Sequence, residues 1–129
     1  MGTEEKAVSL VMEYERKRGW NPRNVSRNRD FIGYDIISIG PENENRLIEV
    51  KETNNRYGIP DMTETEFTRK LTMIATHLYI VGNIDKEPLL YIIPRKDLKP
   101  EHLTMKVSYH VKSGFQKLLP EKYLVAKLV

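Results

Sequence analysis

The sequence contains no cysteine and only three histidines among its 129 residues. The lack of cysteine excludes disulfides and thiolate metal sites, and three scattered histidines do not make a zinc site. No apolar run approaches the roughly 18 residues of a membrane-spanning helix. The acidic N-terminal residues lack the hydrophobic segment of a secretory signal. Together these absences predict a cytoplasmic protein without a membrane partner.

The length and composition are those of a globular protein. A chain of 129 residues can bury one core, so we expect a single domain over residues 1–129. The hydrophobic fraction of 40% and the charged fraction of 30% exclude a disordered or a membrane-embedded chain. A net charge of +3 is mildly basic and permits binding to nucleic acid without requiring it.

Two short segments rich in β-branched residues, 33–39 and 47–51, flank a polar loop that contains Gly, Pro and Asn. This pattern predicts an antiparallel β-hairpin. If the loop is centred near Glu42, Asp35 and Glu49 face each other, because each lies seven residues from that centre. Lys51 shares their face, since side chains alternate along a strand. The hairpin therefore brings two acids and a lysine together.

Two neighbouring carboxylates repel each other unless a positive charge compensates them. Lys51 supplies one such charge, and the oxygen ligands of Asp35 and Glu49 suit Mg²⁺, with Mn²⁺ as an alternative. A metal ion in this position neutralises charge on a phosphate and lowers the pKa of a bound water. Lys51 would orient or help to deprotonate that water. The pattern predicts hydrolysis of phosphodiester bonds.

Asp35, followed on the next strand by Glu49-Val50-Lys51, resembles the signature of the PD-(D/E)xK nuclease superfamily, which includes restriction endonucleases and Holliday junction resolvases. More narrowly, residues 33–36 with residues 48–51 are similar to the domain at the C-terminus of the plant protein NO VEIN. One position differs from the superfamily pattern, since Tyr34 stands where a proline usually precedes the acid.

The resemblance implies an α/β fold, with a restriction-endonuclease-like mixed β-sheet of about four to five strands flanked by helices. It implies metal ligation by Asp35, Glu49 and the backbone carbonyl of Val50, with Lys51 at the attacking water. Relatives often carry a glutamate on the first helix that points at the metal, a role that would fall to Glu5. DNA is the expected substrate, and homodimers are common in the superfamily.

Two helices are predicted, at residues 3–18 and 63–75, from apolar positions at helical spacing and a capping box at the start of the second. A first-turn acid such as Glu5 is also explained by the helix dipole alone, so its role stays open. Glu13 and Glu15 are expected to form solvent-exposed pairs with the basic residues that follow them.

Several cations and one aromatic residue near the hairpin are candidate contacts to nucleic acid, because phosphates attract cations and bases stack on aromatic rings. The alternative is ordinary solvent exposure, which is the usual state of charged loop residues. The candidates are Arg27, Arg29, Arg56, Tyr57, Arg69 and Lys70.

Two other interpretations remain open. The chain could be a non-catalytic module that binds nucleic acid or protein and retains the nuclease fold. It could also be an ordinary domain whose hairpin carries a salt bridge, although buried ion pairs stabilise proteins little relative to apolar side chains. Affinity for a divalent cation distinguishes the nuclease from both.

Overall fold

The computed structural model describes residues 2–27, 34–56, 61–62, 75–98, 103–105, 109–111 and 124–128. Within these ranges no helix is both long and apolar enough to cross a membrane. The elements, in chain order, are α1 (Thr3–Lys17), β1 (Asn21–Asn24), β2 (Ile36–Ile39), β3 (Asn45–Glu52), β4 (Asp61–Met62), β5 (His77–Gly82), β6 (Leu89–Pro94), a 3-10 turn (Arg95–Asp97), β7 (Leu103–Met105), β8 (Tyr109–Val111) and β9 (Leu124–Lys127).

The main sheet is mixed and has the strand order β1-β2-β3-β5-β6-β9. Its neighbours pair antiparallel except for β3 and β5, which are parallel. The predicted α/β fold is confirmed, with six strands rather than four or five because β1 and β9 add an edge strand at each side. Strands β4, β8 and β7 form a smaller sheet. The second predicted helix, 63–75, lies almost entirely outside the described residues.

Helix α1 covers one face of the main sheet. Ala7, Val8 and Val11 recur at helical spacing and are buried against the sheet. Acids in the first turn and bases in the last turn complement the helix dipole, and Gly19 follows the helix end with a φ of 83°. The helix therefore lies where its sequence predicts and directs its first turn toward one end of the sheet.

The β2–β3 hairpin has the register that its sequence predicts. The pairs run from Ile39 with Asn45 to Ile36 with Ile48, symmetric about the loop centre at Glu42. The loop closes through a bond from the Gly40 N–H to the Glu44 carbonyl at 2.8 Å. Because side chains alternate along a strand, this register decides which residues of β3 face α1.

Glu15 is a correction to the sequence interpretation, because its side chain is completely buried rather than exposed. Its Oε2 accepts a hydrogen bond of 3.0 Å from the Tyr79 hydroxyl, which in turn accepts one of 2.6 Å from Arg46. The Arg46 guanidinium lies 3.6 Å from the same carboxylate oxygen and 4.3 Å from the centre of the Trp20 ring. Glu13 behaves as predicted and pairs with Lys17 at the surface.

These contacts join the last turn of α1 to the central strands β3 and β5. Burial, reinforced by the Glu15 charge, raises the pKa of Tyr79, so that its hydroxyl remains a proton donor. A buried carboxylate is tolerated when it is paired and hydrogen-bonded, and Tyr79 and Arg46 provide both at Oε2, while Oε1 is buried without a hydrogen-bond partner among the described residues. The network thus adds polar contacts to the apolar packing that holds α1 on the sheet.

Acidification is expected to destabilise the protein through His77, the first residue of β5. Burial, together with the nearby Arg46 charge, lowers the pKa of His77 to about 4. In the unfolded chain His77 takes up a proton near pH 6.5, whereas in the folded chain it does so only near pH 4. The contribution of His77 to the free energy of unfolding is therefore complete above pH 6.5 and is lost progressively as the pH falls toward 4. We expect a loss of about 1–2 kcal/mol, reduced by the partial exposure of the ring.

Denaturant unfolding of the wild type and of His77→Gln between pH 4 and pH 8 measures this effect. The difference in free energy of unfolding between the two proteins isolates His77 from the other histidines. A difference that does not change with pH would show that His77 titrates normally in the folded state.

Candidate metal and nucleic-acid site

Asp35 lies at the point where strand β2 begins to pair with β3. Its N–H donates a 2.8 Å hydrogen bond to the carbonyl of Ile48, the residue that pairs with Ile36. Asp35 and Ile36 therefore both face Ile48, as in a β-bulge. The regular pairing of the two strands ends there, so Asp35 does not pair with Glu49 as predicted. Instead, Asp35 Oδ2 accepts a 2.9 Å bond from the N–H of Val50. Its carboxylate is thus held against the peptide that joins Glu49 to Val50.

Glu49 and Lys51 share a face of the sheet, as predicted. Ile48 and Val50 pack in the core beneath α1, so alternation directs Glu49 and Lys51 to the opposite face. Glu49 is only 2% exposed, so its carboxylate lies inside the protein. Glutamate side chains are almost never fully buried unless they are paired. Asp35, by contrast, is bonded in the plane of the sheet, beside these two residues.

The backbone of Val50 points toward Asp35. In an extended strand the N–H and C=O of one residue are directed to the same side. Because the Val50 N–H reaches the Asp35 carboxylate, the Val50 carbonyl is directed to the same gap beside β3. The Asp35 carboxylate and the Val50 carbonyl are therefore directed to one end of the hairpin.

A cavity of about 660 Å³ opens between the start of α1 and Asp35. Acids from both elements contribute to its wall, since Glu4 and Glu5 occupy the first turn of the helix. Asn24 and Arg27 also line the cavity. The lining residues are Glu4, Glu5, Val8, Ser9, Asn24, Ser26, Arg27 and Asp35.

Glu4 and Glu52 belong to this acidic region, although the sequence interpretation did not select them. Burial raises the pKa of Glu52, and the Glu4 and Asp35 charges raise it further, while Lys51 opposes them. Both residues had a sequence signal. Glu4 precedes Val8 by one helical turn, and Glu52 continues the alternation of Ile48 and Val50 toward α1.

Glu5 lines the cavity but is engaged by a cation. Its Oε1 accepts a 3.0 Å hydrogen bond from Arg27, in an ion pair whose two side chains are 58% and 88% exposed. Glu4 lies in the same turn, four residues before the buried Val8, and is itself exposed. The structure therefore places two exposed helix acids at the cavity that also contains Asp35.

The available ligands fit a hard divalent cation. Asp35, Glu49 and the Val50 carbonyl offer only oxygen, which Mg²⁺ and Mn²⁺ prefer. Among the described residues no three acidic or histidine side chains are grouped so as to hold a metal ion. Mg²⁺ typically binds through one or two carboxylates and keeps several waters, so two carboxylates and a carbonyl are a sufficient set.

Of the six residues predicted to contact nucleic acid, the structure describes two. Arg27 lies at the cavity that contains Asp35. Arg56 lines a second cavity of about 260 Å³ with Lys86 and Asn83, among other residues. Because β3 and β5 are parallel, the loops that follow them, and this second cavity, lie at the same end of the sheet. Arg29, Tyr57, Arg69 and Lys70 lie outside the described residues.

A solved structure with a similar fold is the 1.6 Å resolution structure of Hjc, a Holliday junction resolvase from the archaeal hyperthermophile Archaeoglobus fulgidus. The TM-score is 0.64, the sequences are 14% identical, and the match covers 92% of this chain and 90% of the Hjc chain. At that identity the likeness establishes the fold. A comparison with curated protein sequences found no match.

The family comparison agrees with the resemblance seen at the hairpin. The model for the family described as protein NO VEIN, C-terminal, matches residues 3–93, a span that includes α1, the hairpin and strands β5 and most of β6. The match covers well over half of the chain and all of the residues discussed around Asp35. This chain therefore belongs to the family of the C-terminal domain of protein NO VEIN and has the fold of the PD-(D/E)xK nucleases.

Proposed function

We propose that this chain is a nuclease that hydrolyses the phosphodiester bonds of DNA, with Mg²⁺ or Mn²⁺ as its metal ion. The observation that carries the proposal is the position of the Asp35 carboxylate, which is bonded to the peptide between Glu49 and Val50. This bond keeps an acid beside the Glu-x-Lys segment of β3 although the ladder between the strands has ended.

Asp35, Glu49 and the Val50 carbonyl would hold the metal ion, which, when bound, neutralises developing charge on the phosphate and acidifies a water. The bond from Val50 fixes the orientation of the Asp35 carboxylate before substrate binds, and this preorganisation lowers the cost of reaching the transition state. The burial of Glu49 excludes water from its side of the site and strengthens its electrostatic interactions.

Lys51 would place its ammonium group next to the attacking water, since it lies two residues after Glu49 on the same face of β3. There it can hold or accept a proton during in-line attack on the phosphorus. Glu4 and Glu5 would act from the start of α1, on the cavity side of Asp35. The role predicted for Glu5 would then be shared with Glu4 in the same turn.

Arg27 and Arg56 would contact the phosphate backbone, one at each of two cavities at the same end of the sheet as the β3 terminus. Guanidinium groups bind phosphate oxygens in a bidentate manner, and these contacts position the strand without reading its sequence. Arg29, Tyr57, Arg69 and Lys70 remain predicted contacts. Homodimerisation and a cytoplasmic location also remain predictions.

The proposal is tested by incubating the protein with plasmid, single-stranded and branched DNA, with Mg²⁺, with Mn²⁺ and with a chelator. We expect cleavage only when a divalent cation is present, and calorimetric titration of the protein with each cation should show binding. If neither cleavage nor cation binding is observed while the DNA is still bound, the domain is a binding module that has kept the nuclease fold.

A further inference from the structure

The ion pair between Glu5 and Arg27 joins α1 to the segment that precedes β2, at the cavity that also contains Asp35. The Arg27 nitrogen and the Glu5 oxygen are 3.0 Å apart. Both side chains are largely exposed, at 88% and 58%. Exposed pairs of this kind change an equilibrium constant by about fivefold at most, so the pair is easily exchanged for another.

A phosphate group is a suitable competitor for Glu5. The Arg27 guanidinium carries five N–H donors, which match the oxygens of a carboxylate and of a phosphate equally well. An approaching phosphate is at the same time repelled by the acids of the cavity, Glu4, Glu5 and Asp35. A phosphate that binds the Arg27 nitrogen now bonded to Glu5 must therefore displace that carboxylate.

We propose that Arg27 exchanges Glu5 for a backbone phosphate of the substrate, and that the released Glu5 adds its carboxylate to the cavity beside Asp35. This inference rests on the proposed function, because it requires a nucleic acid at the cavity. It makes Arg27 a positioning residue for the substrate and Glu5 a ligand or water-orienting group that becomes available on binding. Substrate and divalent cation would then each strengthen the binding of the other.

The exchange predicts that Glu5 competes with DNA when no metal is present. The affinity for a fluorescently labelled branched DNA is measured in the presence of a chelator for the wild type, Glu5→Gln, Arg27→Gln and the double variant Glu5→Gln/Arg27→Gln. Glu13→Gln is the matched control, since it removes the same charge from an exposed ion pair on the same helix, away from the cavity. Glu13→Gln is likewise combined with Arg27→Gln, so that both glutamate substitutions are compared with and without Arg27.

We expect Glu5→Gln to tighten DNA binding roughly two- to fivefold more than Glu13→Gln does, because it removes the competitor as well as a charge. Arg27→Gln should weaken binding. In the Arg27→Gln background the excess effect of Glu5→Gln over Glu13→Gln should fall to the part that comes from charge repulsion alone, since no guanidinium is left for Glu5 to occupy.

An excess effect of Glu5→Gln over Glu13→Gln that is zero, or that is the same in both backgrounds, would overturn the exchange, as would a failure of every variant to bind DNA. Cleavage assays on the same proteins separate this outcome from failure of the proposed function. Metal-dependent cleavage without a specific effect of Glu5 rejects the exchange and keeps the nuclease. A specific effect of Glu5 without cleavage supports the exchange and rejects the nuclease.

Discussion

Replacing Glu49 by glutamine is expected to lower the rate of metal-dependent DNA cleavage by roughly 10²–10⁴-fold, the range for removal of a positioned catalytic group. Glutamine has nearly the same volume and removes the negative charge that a divalent cation requires. Because Glu49 is only 2% exposed, the isosteric change keeps the packing on its face of β3. Asp35→Asn should act similarly, since an amide oxygen still accepts the bond from Val50 but no longer carries a charge.

Cleavage of plasmid DNA and calorimetric binding of Mg²⁺ are the measurements, and thermal unfolding shows whether the variants fold. Glu42→Gln is the matched control, because Glu42 is an exposed glutamate in the loop of the same hairpin. It should cleave at the wild-type rate. If Glu49→Gln and Asp35→Asn also cleave at that rate, the metal site does not lie at this end of the hairpin.

Glu15→Ala is expected to lower the free energy of unfolding by about 3 kcal/mol. This is the lower end of the range for breaking a buried ion pair, because Arg46 keeps 28% of its side chain exposed and can hydrate its charge. The substitution leaves the Tyr79 hydroxyl without its acceptor and detaches the last turn of α1 from β5. Denaturant unfolding measures the loss.

Glu13→Ala is the control for this prediction. It lies two residues away on α1, where its pair with Lys17 is 61% and 74% exposed, and it should cost less than about 1 kcal/mol. Equal losses for the two variants would mean that the buried contacts of Glu15 contribute no more than a surface pair. A larger loss for Glu15→Ala confirms that the network fastens α1 to the sheet.

Local sequence patterns were sufficient for the elements that build the candidate site. The apolar stripe of α1 and the register of the β2–β3 hairpin follow from side-chain periodicity and turn residues, which depend on near neighbours in the chain. The same patterns did not reveal that Asp35 bonds to Val50. A bulge arises from how the two strands meet, and no nearby residue type requires it.

Glu15 shows most clearly what local sequence does not predict, because it lies among charged residues and has the sequence environment of an exposed acid. It is buried since α1 lies over Tyr79 and Arg46, which are distant in the chain. Glu4 and Glu52 join Asp35 for the same reason, through the approach of the helix to the end of β3. Contacts between residues that are distant in the chain do not follow from the local periodicity of side chains.

The amino-acid sequence by itself determined the helix, the hairpin, its register and which charged residues stand at its open end, because these depend on interactions between residues close in the chain. The tertiary structure alone decided that Glu15 is buried, that Asp35 is held by a backbone N–H, and that Glu5 is paired with Arg27. The burial of Glu15 and the pairing of Glu5 depend on the position of α1 relative to the sheet, whereas the bond to Asp35 depends on how β2 and β3 meet. The position of α1 is set by the packing of the whole core, to which residues throughout the chain contribute.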